Sequence, residues 1–73
     1  MISLYPNPTS DKITLKSDQT VEGDFEIIDP LGKLVQTGNC NGKEVEIDLN
    51  QLSSGNYILR LPAINWISRI VKN

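Results

Sequence analysis

Three stretches of this chain alternate polar and apolar residues with a period of two. They are Lys12-Ile13-Thr14-Leu15-Lys16, Glu44-Val45-Glu46-Ile47-Asp48-Leu49 and Asn56-Tyr57-Ile58-Leu59-Arg60-Leu61. Side chains alternate across a strand, so each stretch has one apolar face and one polar face, as a half-buried antiparallel strand requires. No segment of useful length carries the helix period, which confines the chain to an all-β fold. Two further strands are expected at Asp24 to Ile28 and Lys33 to Thr37, and a last one of mixed parity at Trp66 to Lys72. The apolar parity nominates Ile13, Leu15, Phe25, Ile27, Val45, Ile47, Leu49, Tyr57, Leu59 and Leu61 as core.

Turn chemistry separates these runs. Asp29-Pro30-Leu31-Gly32 has Pro at the second position and Gly at the fourth, as a type I turn prefers. Asn41-Gly42 suits the positive φ angles of a tight hairpin, which would put Cys40 at a loop tip. Ser53-Ser54-Gly55-Asn56 forms a second loop, and a β-branched residue in place of Gly55 would clash if the backbone there takes positive φ. Pro62 closes the Tyr57 strand. Turn signals every 8–12 residues or so read as a sandwich or barrel.

With 73 residues there is one domain, spanning 1–73. A chain this short buries only about 60% of its unfolded surface, so its stability is marginal. A single cysteine excludes an intrachain disulfide, and the absence of histidine removes His-based nucleophile systems and imidazole metal sites. No cofactor or metal is implied. The formal charge of −2 argues against a nucleic-acid partner, which would meet a basic surface. Yet the nine acids all lie at or before Asp48, while Arg60, Arg69 and Lys72 follow it. No apolar run is long enough for membrane insertion. The first residues do not form a signal peptide. On these grounds the chain is either cytoplasmic or a piece of a longer protein.

Individual residues offer little chemistry. Glu44, Glu46 and Asp48 are spread along one strand face, where they read as a solvated face that blocks sheet aggregation, not as converging calcium ligands. Cys40 has only Lys43 nearby to activate it and reads as inert. Trp66 reads as a core or lip residue. Pro8 excludes glycosylation at Asn7. No nucleophile or acid–base pair is available, so the chain is not expected to be an enzyme.

Leu4-Tyr5-Pro6-Asn7-Pro8-Thr9 opens the chain, and Asp29-Pro30-Leu31-Gly32-Lys33-Leu34-Val35 occupies its middle. Leu52-Ser53-Ser54-Gly55-Asn56-Tyr57-Ile58-Leu59 follows Asp48-Leu49, and Arg69-Ile70-Val71-Lys72-Asn73 ends it. In this order and spacing the whole chain resembles the C-terminal sorting domain of the type IX (Por) secretion system of Bacteroidetes. Arg69 departs from the family pattern, which usually has Lys there.

The resemblance implies an immunoglobulin-like antiparallel β-sandwich, expected here with six or seven strands. It implies a secretion signal at the end of a larger secreted protein, whose N-terminal cargo domain passes through the periplasm to the cell surface or beyond. The implied partners are the outer-membrane translocon, which recognises the domain, and a sortase-like peptidase, which removes it. Cargo is often attached to lipopolysaccharide. The residues suspected of carrying recognition are Pro6, Asn7, Pro8, Gly32, Lys33, Gly55, Tyr57, Arg69, Val71 and Lys72. The last strand is expected at a sheet edge, open to strand addition, with a cationic end that steers a receptor. The alternative function is a carbohydrate-binding or adhesive accessory module.

Overall fold

The period-two stretches do form strands, but fewer and longer ones than their punctuation suggests. In the computed structural model, which describes residues 1–73, there are five: β1 (Ile2–Tyr5), β2 (Lys12–Ile28), β3 (Leu34–Asp48), β4 (Gly55–Leu61) and β5 (Trp66–Lys72). One 3₁₀ turn, Pro62–Ile64, links β4 to β5, and Asn65 completes that link in the left-handed conformation. All pairing between strands is antiparallel and joins them in a single sheet.

The strand count corrects the expected six or seven. Lys12–Lys16 and Asp24–Ile28 are the two ends of β2, and Lys33–Thr37 runs on into the Glu44–Asp48 segment as β3. The polar residues between them lack apolar alternation, yet they stay in the ladder. The register slips there: Ser17–Thr20 of β2 lie opposite Lys43 alone. Such bulges bend a strand and increase its twist. Asn41-Gly42 is therefore no hairpin turn. Gly42 does have positive φ, +139°, but it sits opposite Val21 beside the bulge. Cys40 is correspondingly not at a loop tip. It lies within β3 and is 1% exposed.

The bend lets both ends of β2 face one interior. Ile13 and Leu15 at its start and Phe25 and Ile27 at its end are all buried, together with Ile47, Leu49, Tyr57, Leu59 and Leu61. Of the core expected from parity, only Val45 is merely half-buried, packed against the cluster. Val21, Cys40 and Ile70 complete it. Phe25 lies across the ladder from Gly38, and a Cβ at Gly38 would overlap the Phe25 ring. Glu44, Glu46 and Asp48 stand exposed along β3, with Glu46 3.5 Å from Lys12. The curl is closed where Thr9 bridges Lys72 in parallel.

Candidate recognition site

The closure is made by the proline-rich entry. Pro6 and Pro8 have no N–H to offer a ladder, so hydrogen bonding falls to the residues between and after them. The Asn7 side chain takes the place of a peptide group. Its Nδ2 donates to the Arg69 carbonyl (3.1 Å), and its Oδ1 accepts from the Val71 N–H (3.0 Å). A side-chain amide carries the same donor and acceptor as the backbone. Thr9 continues the pattern. Its N–H donates to the Val71 carbonyl at 2.9 Å, and its own carbonyl accepts from the Asn73 N–H at 2.7 Å. Thr9 is 2% exposed, and its hydroxyl donates to the Lys12 carbonyl and accepts from the Asp11 N–H.

The final strand is therefore not an open edge over Arg69–Asn73. β4 covers one side in seven unbroken pairs, and Asn7 and Thr9 cover the other. This corrects the expectation of an exposed template at the chain end. Strand addition there would first have to displace Asn7.

Gly55, Tyr57 and Lys72 organise the loop before β4. Lys72 lies opposite Gly55, and its ammonium donates to the Leu52 carbonyl at 2.8 Å. The Tyr57 hydroxyl donates to the Ser53 carbonyl at 2.7 Å. Gly55 has φ of +153°, a conformation that other residues adopt only with strain. The half-buried Lys72 is thus a structural cap, not a free terminal charge.

The Asp29–Lys33 turn forms the other wall. The Gly32 N–H donates to the Asp29 carbonyl, closing a β-turn, and Asp29 Oδ1 accepts from the Leu31 and Lys33 N–H groups, each at 2.9 Å. Between this turn and the outer face of β4 and β5 lies a cleft of about 380 Å³. Ile28, Pro30, Gly32, Tyr57, Ile58 and Arg69 line it. Sequence reasoning missed Ile28 and Ile58, whose polar-face parity gave no sign of a site, and Pro30, which read only as a turn former. Lys33 stands in the turn but does not line the cleft.

The cationic end proves to hold one uncommitted charge. Arg60 Nε donates to Glu26 at 2.8 Å. Lys72 is engaged at Leu52. Arg69 is exposed and takes part in none of the three ion pairs. Gly32, Tyr57 and Arg69, which lie far apart in sequence, therefore meet at one cleft, while Asn7, Val71, Gly55 and Lys72 hold the strands that shape it. Elsewhere, burial pushes the Cys40 thiol above its ordinary pKa, opposite to the shift of a reactive cysteine.

The family model for the secretion system C-terminal sorting domain matches residues 3–73. The chain belongs to that family. It is thus a type IX sorting domain, the class of domain that directs a protein to export. It is also 33% identical over 63 residues to "Ulvan lyase NLR42" of Nonlabens ulvanivorans. That match covers 85% of this chain but only 12% of the relative, so this sorting domain corresponds to a small part of a much longer protein. No solved structure matches the domain.

Proposed function

We propose that this domain is a non-catalytic address, read by the type IX outer-membrane translocon at the end formed by β4, β5 and the Asp29–Lys33 turn. The observation that carries this reading is the convergence of separate family motifs: the Asn7 segment, the Gly32 turn, the Tyr57 strand and the Arg69–Lys72 strand all build one end of the molecule. A buried core set that merely folded would have no need to collect exposed residues at one cleft. On this reading a cargo domain lies N-terminal to the address, passes through the periplasm and reaches the cell surface or the medium. A sortase-like peptidase then removes the address. The two halves of the curled sheet act as the layers of an immunoglobulin-like sandwich, with β2 and β3 passing between them at their bulges. Pro6, Pro8 and Lys33 act as supports of the clamp and turn.

The test is sufficiency. The 73 residues are fused to the C-terminus of an inert periplasmic protein in a type IX-competent cell. Appearance of the protein outside the cell is the expected result. A well-folded fusion held in the periplasm would remove the sorting role, and glycan-array binding by the domain would favour the accessory-module function.

A further inference from the structure

We infer that the cleft beside Arg69 takes an extended segment of a partner protein that presents a carboxylate next to an apolar side chain. This rests on the sorting role proposed above and specifies what the partner must offer. Three observations carry it. Ile28 and Ile58 are cross-strand neighbours on the outer face, both half-buried, and with the Pro30 ring they give the cleft an apolar wall. Arg69 lies opposite Ile58 on β5, lines the same cleft and has no acidic partner. Asp29, the one acid in the lining, already accepts two backbone N–H bonds through Oδ1, which hold the turn.

A guanidinium fork matches a carboxylate with two parallel hydrogen bonds. The apolar wall asks for an aliphatic side chain one or two positions away. Asn56, also in the lining, has an exposed side-chain amide suited to a peptide backbone. The charge pattern disfavours nucleic acid and anionic lipid. Those surfaces are met by several clustered cations, whereas Arg69 is the one cation in the lining of this cleft, with Lys33 outside it and Arg60 and Lys72 already engaged.

The experiment follows backbone amide signals of the 73-residue chain by NMR during titration with acetyl-Val-Glu-Val-amide. The expected result is saturable shifts at Ile28, Asn56, Ile58 and Arg69. The Gln analogue of the peptide should bind at least tenfold more weakly, R69Q should lose the difference between the two peptides, and R69K should retain part of it. The Arg69 side chain makes no hydrogen bond, and its carbonyl still meets Asn7, so these variants keep the fold. Equal binding of the Glu and Gln peptides, shifts elsewhere, or equal shifts with inorganic phosphate or phosphatidylglycerol vesicles would overturn the inference. Secretion of fusions separates it from the sorting role. If the wild-type fusion is exported and R69Q is exported equally well, the cleft inference fails and the address stands. If the wild-type fusion is retained, the address fails, and the peptide titration still decides the cleft.

Discussion

The β2–β3 hairpin and the β4–β5 hairpin are both antiparallel pairs, but they are built differently. β2 and β3 run 17 and 15 residues, slip register twice and carry acids on their solvent faces. β4 and β5 are seven residues each, pair without a slip and carry no acid. The long pair wraps the core, and its bulges supply the bend that lets one strand line both sides of the interior. The short pair presents a regular face held from behind by core residues and from the side by Asn7. Curvature and display are thus divided between the hairpins. Damage to the first should act on stability, and surface changes on the second should act on recognition.

The largest expected effect lies where the two hairpins share a core. Leu59 of β4 is fully buried against β2, opposite Ile27. Leu59→Ala should cost about 2–5 kcal/mol in urea unfolding, enough to unfold much of a domain this small. Gly38→Ala tests the long hairpin alone. The added methyl would displace the Phe25 ring, and overpacking of this kind costs about 1–3 kcal/mol. Unchanged midpoints would show that the bulged hairpin adjusts more freely than its packing suggests.

The next effect tests the side clamp. Asn7→Ala removes the partners of the Arg69 carbonyl and the Val71 N–H, a loss of about 1–3 kcal/mol. Amide hydrogen exchange should accelerate at Val71 and spread little into β2. Asn7→Asp keeps the acceptor for Val71 but sets a carboxylate oxygen against the Arg69 carbonyl, so it should restore little or none of what Asn7→Ala loses. Equal exchange in all three proteins would mean that β5 is held by β4 alone.

That clamp also marks the limit of what residue patterns can reveal. Parity is a local signal, so the burial of Ile13, Leu15, Ile27, Ile47, Leu59 and Leu61 was legible in the sequence. So was the Asp29–Gly32 turn, whose chemistry is contained in four residues. The bulges were not. Ser17–Thr20 look like a loop because they drop out of the β2–β3 pairing, and Asn39–Gly42 look like one because they are polar and end in Asn-Gly, although they pair in unbroken register with Val21–Asp24. Asn41-Gly42 carries hairpin-turn chemistry without turning the chain, which is why Cys40 reads as a loop tip when it lies within β3. The bonds of Asn7 to Arg69 and Val71 span more than sixty residues of sequence, and nothing local announces them. Family resemblance names positions by motif, and the geometry gives those residues different structural tasks. Lys72 is a cap, Arg69 is a free charge, and the terminal strand is covered.

Charge reversal sharpens this last distinction. Lys72→Glu loses the bond to the Leu52 carbonyl and places a carboxylate beside a carbonyl oxygen. It should lower stability by about 1–3 kcal/mol, the cost of a lost charge-assisted bond. Arg69→Gln should change it by less than about 0.5 kcal/mol, as exposed substitutions do. Thermal unfolding of both variants checks the pair, and equal losses would erase the assignment of cap and free charge.

The smallest effect belongs to Cys40. Burial raises its thiol pKa in the folded state above the ordinary value of 9.0. The unfolded chain therefore releases its proton first as pH rises, and the folded state loses stability as pH climbs through and beyond that ordinary value. A Cys40→Ala variant should lack this alkaline decline in a urea-midpoint series. The same decline in both proteins would assign it to other groups.

The division between the hairpins is tested most directly by secretion of two fusions of equal stability, one altered on each hairpin's surface. The first carries Glu44→Gln with Glu46→Gln on β3, and the second carries Arg69→Gln on β5. Export of the first at the wild-type level with retention of the second is the predicted result. Loss of export through the β3 changes, with Arg69→Gln exported normally, would place recognition on the long hairpin and contradict the account.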